Sequence, residues 1–140
     1  FCSKNTNDDN LRDILILYKG SEAFVVMNLY PYTNGHILIC SNKHTDSLTD
    51  LSTSTLLEIM NLSKQSMEIL KSTMNPSGFN FGANIGKAGG AGISEHIHFH
   101  LVPRWEGDTN FMPVVGQSKV IMEGLYDTYD SLKPYYDRLK

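Results

Sequence analysis

Cysteine is scarce in this sequence: Cys2 and Cys40 are the only two. So small a number excludes a disulfide-built scaffold and predicts a reducing compartment, the cytoplasm. Basic charge is not in excess. Twelve Lys and Arg stand against fifteen Asp and Glu, a formal net charge of −3, which argues against a nucleic-acid-binding surface. Long apolar runs are absent as well. None approaches the roughly 20 residues needed to cross a bilayer, and no secretory leader is visible. There is no internal repeat, low-complexity tract or linker. What remains, 140 residues at 41% apolar and 19% charged, predicts one domain with a real core. The chain opens Phe1-Cys2-Ser3 without an initiator Met, which predicts further residues upstream.

The chain is organised around residues 93 to 105, Ile-Ser-Glu-His-Ile-His-Phe-His-Leu-Val-Pro-Arg-Trp. There His96, His98 and His100 alternate with Ile97, Phe99 and Leu101. A period of two is that of a β-strand, whose successive side chains point to opposite faces. Three of the five histidines are thereby expected on one face, about 7 Å apart from one to the next. Like-charged imidazolium groups held so close repel near neutral pH, so the row reads as a site rather than as solvated surface. Pro103 cannot donate to a ladder and marks where pairing ends.

Elsewhere the pattern predicts alternating strands and two helices. Ile14–Tyr18 and Ala23–Asn28 read as a β-hairpin with the four-residue loop Lys19-Gly20-Ser21-Glu22. After a turn at Pro31–Gly35, His36–Cys40 is a third strand, and Ser41–Asp50 is a loop holding His44. From Thr53 to Met74 the period becomes helical, with Leu56, Met60, Met67, Leu70 and Met74 as the core stripe and Thr55-x-x-Glu58 as a capping box. Asn75-Pro76-Ser77-Gly78 stops that helix. Phe79–Ile85 is a strand with Asn80, Gly82 and Asn84 on one face. The tail, Ile121–Leu139, reads as a second helix interrupted or kinked at Pro134. The order βββ-α-ββ-α predicts an α+β fold with an antiparallel sheet of about five strands.

Gly86–Gly92 contains four glycines and Lys87 and leads into the histidines. Glycines let backbone N–H groups approach an anion, and Lys87 adds a charge, so this loop suggests a phosphorylated ligand. Imidazole titrates near neutral pH, so one ring can attack phosphorus while a neighbour supplies a proton. Two other readings compete. The three histidines could ligate a catalytic metal with water in the fourth position, although alternating strand positions diverge more than tetrahedral ligands should and no acidic base stands beside them. Alternatively, the chain could be a nucleotide-binding module without turnover.

The run His96-Ile97-His98-Phe99-His100-Leu101-Val102 resembles the motif of the histidine triad (HIT) nucleotide hydrolases and transferases, His-φ-His-φ-His-φ-φ with φ apolar. The resemblance extends to Asn28, Pro31 through His36, His44, Asn84 and the glycine loop. It implies a HIT-like fold and a catalytic set of His98 as nucleophile on an α-phosphate, His100 on the phosphate, His96 orienting His98 through its carbonyl, and His36 completing the proton network. It implies a substrate-binding set of Asn28 near the ribose, Asn84, and the loop residues Lys87, Gly90, Gly92, Ile93 and Ser94. In the phosphoramidase branch of the family a Ser precedes the first histidine by three; here that place is Ile93, and Ser94 comes one later. The resemblance also implies a homodimer joined through the long helix and part of the sheet.

Pro103 through Val114 looks like the microbial branch of diadenosine tetraphosphate phosphorylases and hydrolases. That implies cleavage of a dinucleoside polyphosphate, with water or phosphate as acceptor. No cofactor is implied for the chemistry, and a nucleoside phosphoramidase is the alternative. Trp105 is expected either to stack on an adenine or to pack at the dimer interface. Some bacterial members hold a structural zinc, and Cys2, His44 and His96 match three of its four ligand positions.

Overall fold

The computed structural model describes residues 10–108 and 124–139. Five strands, β1 (Ile16–Lys19), β2 (Ala23–Met27), β3 (Ile37–Ser41), β4 (Gly78–Gly82) and β5 (His98–Arg104), form one antiparallel sheet in the order β1-β2-β3-β5-β4. Two helices accompany it, α1 (Thr53–Met74) and α2 (Leu125–Tyr136). The α+β architecture expected from the patterning is the one observed. Among the described residues, no helix is long and apolar enough to cross a membrane.

Several boundaries move, each for a local reason. The first strand starts at Ile16 rather than Ile14, because Leu15 takes a left-handed φ of 62° that no strand residue adopts. Its hairpin loop is three residues, Gly20–Glu22, because Lys19 pairs with Phe24 in the ladder. The third strand is Ile37–Ser41, one residue later than expected. The fourth ends at Gly82, so Ala83, Asn84 and Ile85 lie beyond it. The tail helix runs through Pro134 without interruption and ends two residues later. A proline so near the C-terminal end removes little of the helix's own hydrogen bonding. The expected helical residues 121 to 123 lie outside the described residues.

Helix α1 forms where the 3.6-residue period predicted it, but with a different cap and a different buried face. Ser52 is the N-cap, its side chain accepting the Thr55 N–H at 3.1 Å. Glu58 instead accepts from the Ser21 hydroxyl and the Glu22 N–H, tying the hairpin loop to the helix. The buried positions are Thr55, Ile59, Leu62, Ser63, Ser66, Ile69 and Leu70. Of the expected stripe, Leu56, Met67 and Met74 are only partly buried, and Met60 is 54% exposed. The buried hydroxyls are all bonded: Ser63 to Ile59 O, Ser66 to Tyr136 OH and Thr55 to Glu22. Helix α1 ends as Asn75 enters the left-handed region, ahead of Pro76.

The register divides the sheet's faces. Cys40 pairs with His98 and Leu38 with His100, while Ile39 pairs with Phe99 and Ile37 with Leu101. Alternation therefore sets His98 and His100 on one face and Phe99, Leu101 and Pro103 on the other. The second face meets α1: at Gly35, whose φ of 76° strains any other residue, Leu70, Met74 and Pro103 close in so tightly that a side chain would force the Met74 sulfur to move. Leu101 and Leu70 are fully buried in this layer, and burial of such a side chain stabilises the fold by about 1.5–3 kcal/mol. The same packing holds β5 in place and so fixes where its histidines stand.

Candidate active site

The three motif histidines do not form one row. Strand β5 begins at His98, and His96 precedes it in a bend. There the Ile97 N–H bonds to Thr45 O at 2.7 Å, pulling the chain away from the ladder. His98 and His100 have ring centroids 5.0 Å apart. The His96 ring turns elsewhere: its Nε2 lies 2.8 Å from Ser41 O, and its ring stands edge-on to His44 at 5.2 Å. The structure thus pairs His98 with His100 and, separately, His96 with His44.

A chain of hydrogen bonds fixes the protons. The backbone N–H of Tyr32 donates to His36 Nδ1 at 3.0 Å, so that nitrogen carries the lone pair and Nε2 carries the proton. His36 Nε2 is 3.0 Å from His100 Nδ1 and donates to it. His100 in its turn bears its proton on Nε2, the nitrogen His36 does not touch. His98 Nδ1 is 2.8 Å from His96 O. A carbonyl only accepts, so Nδ1 is protonated and the lone pair of the neutral ring is on Nε2. One ring therefore presents a lone pair and its neighbour an N–H donor.

Burial reinforces this arrangement. His36 is fully buried, His98 nearly so and His100 half-buried. Burial, with a smaller push from His98, lowers the His100 pKa below the usual imidazole value and so favours the neutral form that can accept from His36. Burial also lowers His96, against the opposing pull of its hydrogen bond to Ser41 O and with help from nearby His44 and His98. Asn28 reaches the same cluster: its Oδ1 accepts the Tyr30 N–H, and its amide nitrogen lies 3.3 Å from His36 Nδ1. The Tyr32 ring, tilted over His36 at 4.8 Å, stacks on His100 at 6.1 Å.

The remaining candidate residues are placed differently. Lys87, Gly90, Gly92, Ile93 and Ser94 are exposed on the loop after β4. The expected anion nest is not formed by three of its amides. Gly89 and Ala91 donate to Gly86 O, and Gly90 donates to Lys87 O, because positive φ at Gly86 and Gly90 folds the loop onto itself. Gly89 is obligatory there, since a Cβ would stand 2.3 Å from Ile85 O. Asn84 donates to Gly90 O at 3.3 Å. Trp105 is not beside His98. Seven residues along an extended chain span about 23 Å, and the indole N–H bonds to Met74 O at the end of α1. It lines a cavity of about 650 Å³ with Tyr32, Thr33 and Asn34.

For a metal, the described residues contain no group of three or more His, Cys, Asp or Glu placed to hold one. The row expected for a three-histidine catalytic metal is broken by the turn of His96 toward Ser41. Of the zinc-type set, His44 and His96 are adjacent, and the Ser41 bond leaves His96 Nδ1 as the ring's lone-pair nitrogen. Cys2 lies outside the described residues.

A family model described as the HIT domain matches residues 12–107, which span the sheet, α1 and both histidine pairs. The chain belongs to the HIT family. It is 39% identical over 114 residues to an AP-4-A phosphorylase of Mycobacterium tuberculosis, covering 81% of this chain and 58% of that protein. This HIT chain thus spans a little over half the length of that curated relative. It is 26% identical over 98 residues to a bis(5'-adenosyl)-triphosphatase of Dictyostelium discoideum, covering 70% of this chain and 65% of that one. Its fold matches a zinc-bound histidine triad family protein from Mycobacterium smegmatis with a TM-score of 0.72 at 23% identity, covering 89% of this chain and 85% of the other.

Three residues of the site escaped the sequence reading. Tyr32 matters through its backbone N–H and its ring, and only the folded turn brings it over His36. Ser41 acts through a carbonyl 55 residues from His96, and nothing in the sequence signals that contact. Gly82 pairs directly with His100; a glycine in a strand pattern was the available signal.

Proposed function

We propose that this HIT chain cleaves dinucleoside polyphosphates at an α-phosphate, by way of a nucleotidyl group on His98. One observation carries the reading: the His98 Nδ1 bond to His96 O leaves the ring's lone pair on Nε2, beside a His100 whose N–H is set by His36. The names of two relatives, an AP-4-A phosphorylase and a bis(5'-adenosyl)-triphosphatase, support the substrate class.

In the first step His98 Nε2 attacks the α-phosphorus and a P–N bond forms. The P–O bond to the second nucleotide breaks, and its electron pair leaves with the phosphate oxygen. The ring becomes cationic, and His96 O stabilises that charge through Nδ1–H. The His100 N–H faces negative charge developing on the phosphoryl oxygens; a preorganised donor of this kind contributes about 2.7–4 kcal/mol to transition-state stabilisation. In the second step water or inorganic phosphate attacks phosphorus, the P–N bond breaks with its electron pair returning to His98 Nε2, and the proton on the attacking oxygen passes to solvent, which restores the neutral ring.

The test incubates the protein with diadenosine tetraphosphate, with and without inorganic phosphate, and resolves the products. AMP plus ATP in either buffer identifies water as acceptor; ADP plus ATP only with phosphate identifies a phosphorylase. No cleavage under either condition overturns the reading. Two accompaniments belong to the same proposal. A homodimer is supported by Leu57 and Met60, 61% and 54% exposed one turn apart on the outer side of α1, and light scattering at a monomer's mass would remove it. A structural zinc on Cys2, His44 and His96 is supported by the adjacency of the two imidazoles, and metal analysis showing no zinc would remove that.

A further inference from the structure

Gly82 closes β4 opposite His100. A side chain there would stand on the histidine face, its Cβ about 5 Å from that of His100. Glycine weakens a strand, and its presence in one signals a bulge, an unusual backbone angle or the close approach of another group. The first two do not apply. The register runs unbroken from Gly78–Arg104 to Gly82–His100, and Gly82 is not among the glycines with positive φ. Packing does not demand glycine either, since an added Cβ would meet no atom within 4 Å. The space over Gly82 is therefore open and borders His100 directly.

The opposite flank of His100 is filled. On the β3 side, His36 occupies its Nδ1 and the Tyr32 ring stacks against it. A phosphate chain gripped between His98 and His100 has room to continue on the β4 side, over Gly82. Exposed Asn84, two residues further on, would face His98 if the ladder continued.

We propose that Gly82 is a specificity-determining position. Its missing side chain makes the passage for the phosphate groups beyond the cleaved bond. The inference rests on the α-phosphate standing at His98, as in the cleavage reading above. It predicts that filling the space discriminates by phosphate-chain length. A ligand ending at the α-phosphate is indifferent to residue 82, whereas a longer chain collides with it.

The test measures AMP and ATP binding by calorimetry to the wild type, Gly82→Ala and Gly82→Val. Both variants should melt at or above the wild-type temperature, since alanine and valine suit a strand better than glycine. Gly82→Val should weaken ATP binding tenfold or more while AMP stays within twofold, and Gly82→Ala should give a smaller loss in the same direction. If Gly82→Val fails to fold, Gly82→Ala decides by the same ratio. Equal weakening of both ligands, no weakening of either, or a wild type that binds neither overturns the assignment. A wild type that binds the nucleotides but cleaves no dinucleotide overturns the cleavage reading instead, and the AMP to ATP ratio still decides Gly82.

Discussion

The hydrogen-bond chain Tyr32–His36–His100 can be cut at either end of one ring, and the two cuts should have opposite consequences. In His36→Asn the side-chain oxygen takes the place of Nδ1 and still accepts the Tyr32 N–H, but nothing reaches His100. In His36→Gln the amide nitrogen takes the place of Nε2 and still donates to His100, while the acceptor of the Tyr32 N–H is removed. His36 is fully buried, so a lost acceptor there costs about 1–3 kcal/mol. For a chain of this size that lowers Tm by about 3–10 °C. The Asn variant loses one hydrogen bond of about 1 kcal/mol in stability, but frees His100 to place its proton on Nδ1. Turning that donor away should lower kcat/KM about a hundredfold, or about 2.7 kcal/mol of transition-state stabilisation. The expected result is an Asn variant that is nearly as stable as wild type and poorly active, and a Gln variant that is less stable with kcat/KM within about tenfold. Thermal melts and initial rates on a dinucleoside tetraphosphate measure both. Equal activity losses in the two variants, or full activity in His36→Asn, would refute the proton assignment.

Further outcomes follow from the same geometry. His98→Asn removes the nucleophile and should abolish turnover while nucleotide affinity changes by less than about tenfold, as equilibrium binding would show. The pKa values of His96 and His100 are held below the ordinary 6.5, so below that value the unfolded chain takes up protons that the folded chain does not. Their stabilising contribution is therefore intact above pH 6.5 and falls as the pH drops through their folded values. Melts between pH 7.5 and 5 should show this loss, and rates should fall on the same acid limb. Tyr136→Phe removes the buried hydroxyl bonded to Ser66 Oγ at 2.8 Å and should cost about 1 kcal/mol in a denaturant titration, with unchanged kcat.

The sequence by itself determined the elements and, for β5, which side chains share a face. The alternation in β5 set Phe99 and Leu101 against α1 and turned His98 and His100 the other way, because a strand's period is two and its apolar row must be buried. The 22 residues of α1 were legible because their period persists over six turns. Which face of α1 is buried was not legible. Ser63 and Ser66 lie inside because Ile59 O and Tyr136 OH satisfy their hydroxyls, while Met60 lies outside, and apolar counting cannot see those partners. The candidate site divides in the same way. Residue types and spacing singled out the histidines. Only the tertiary structure decided that His96 leaves the row for Ser41 O, that the glycine loop closes on its own carbonyls, and that Tyr32 and Gly82 flank His100. The loop closure turns on backbone angles at Gly86 and Gly90, and the other outcomes depend on hydrogen bonds and free space between segments far apart in the chain. The local sequence fixes which way a side chain points from its strand, and the packed chain fixes what it meets there.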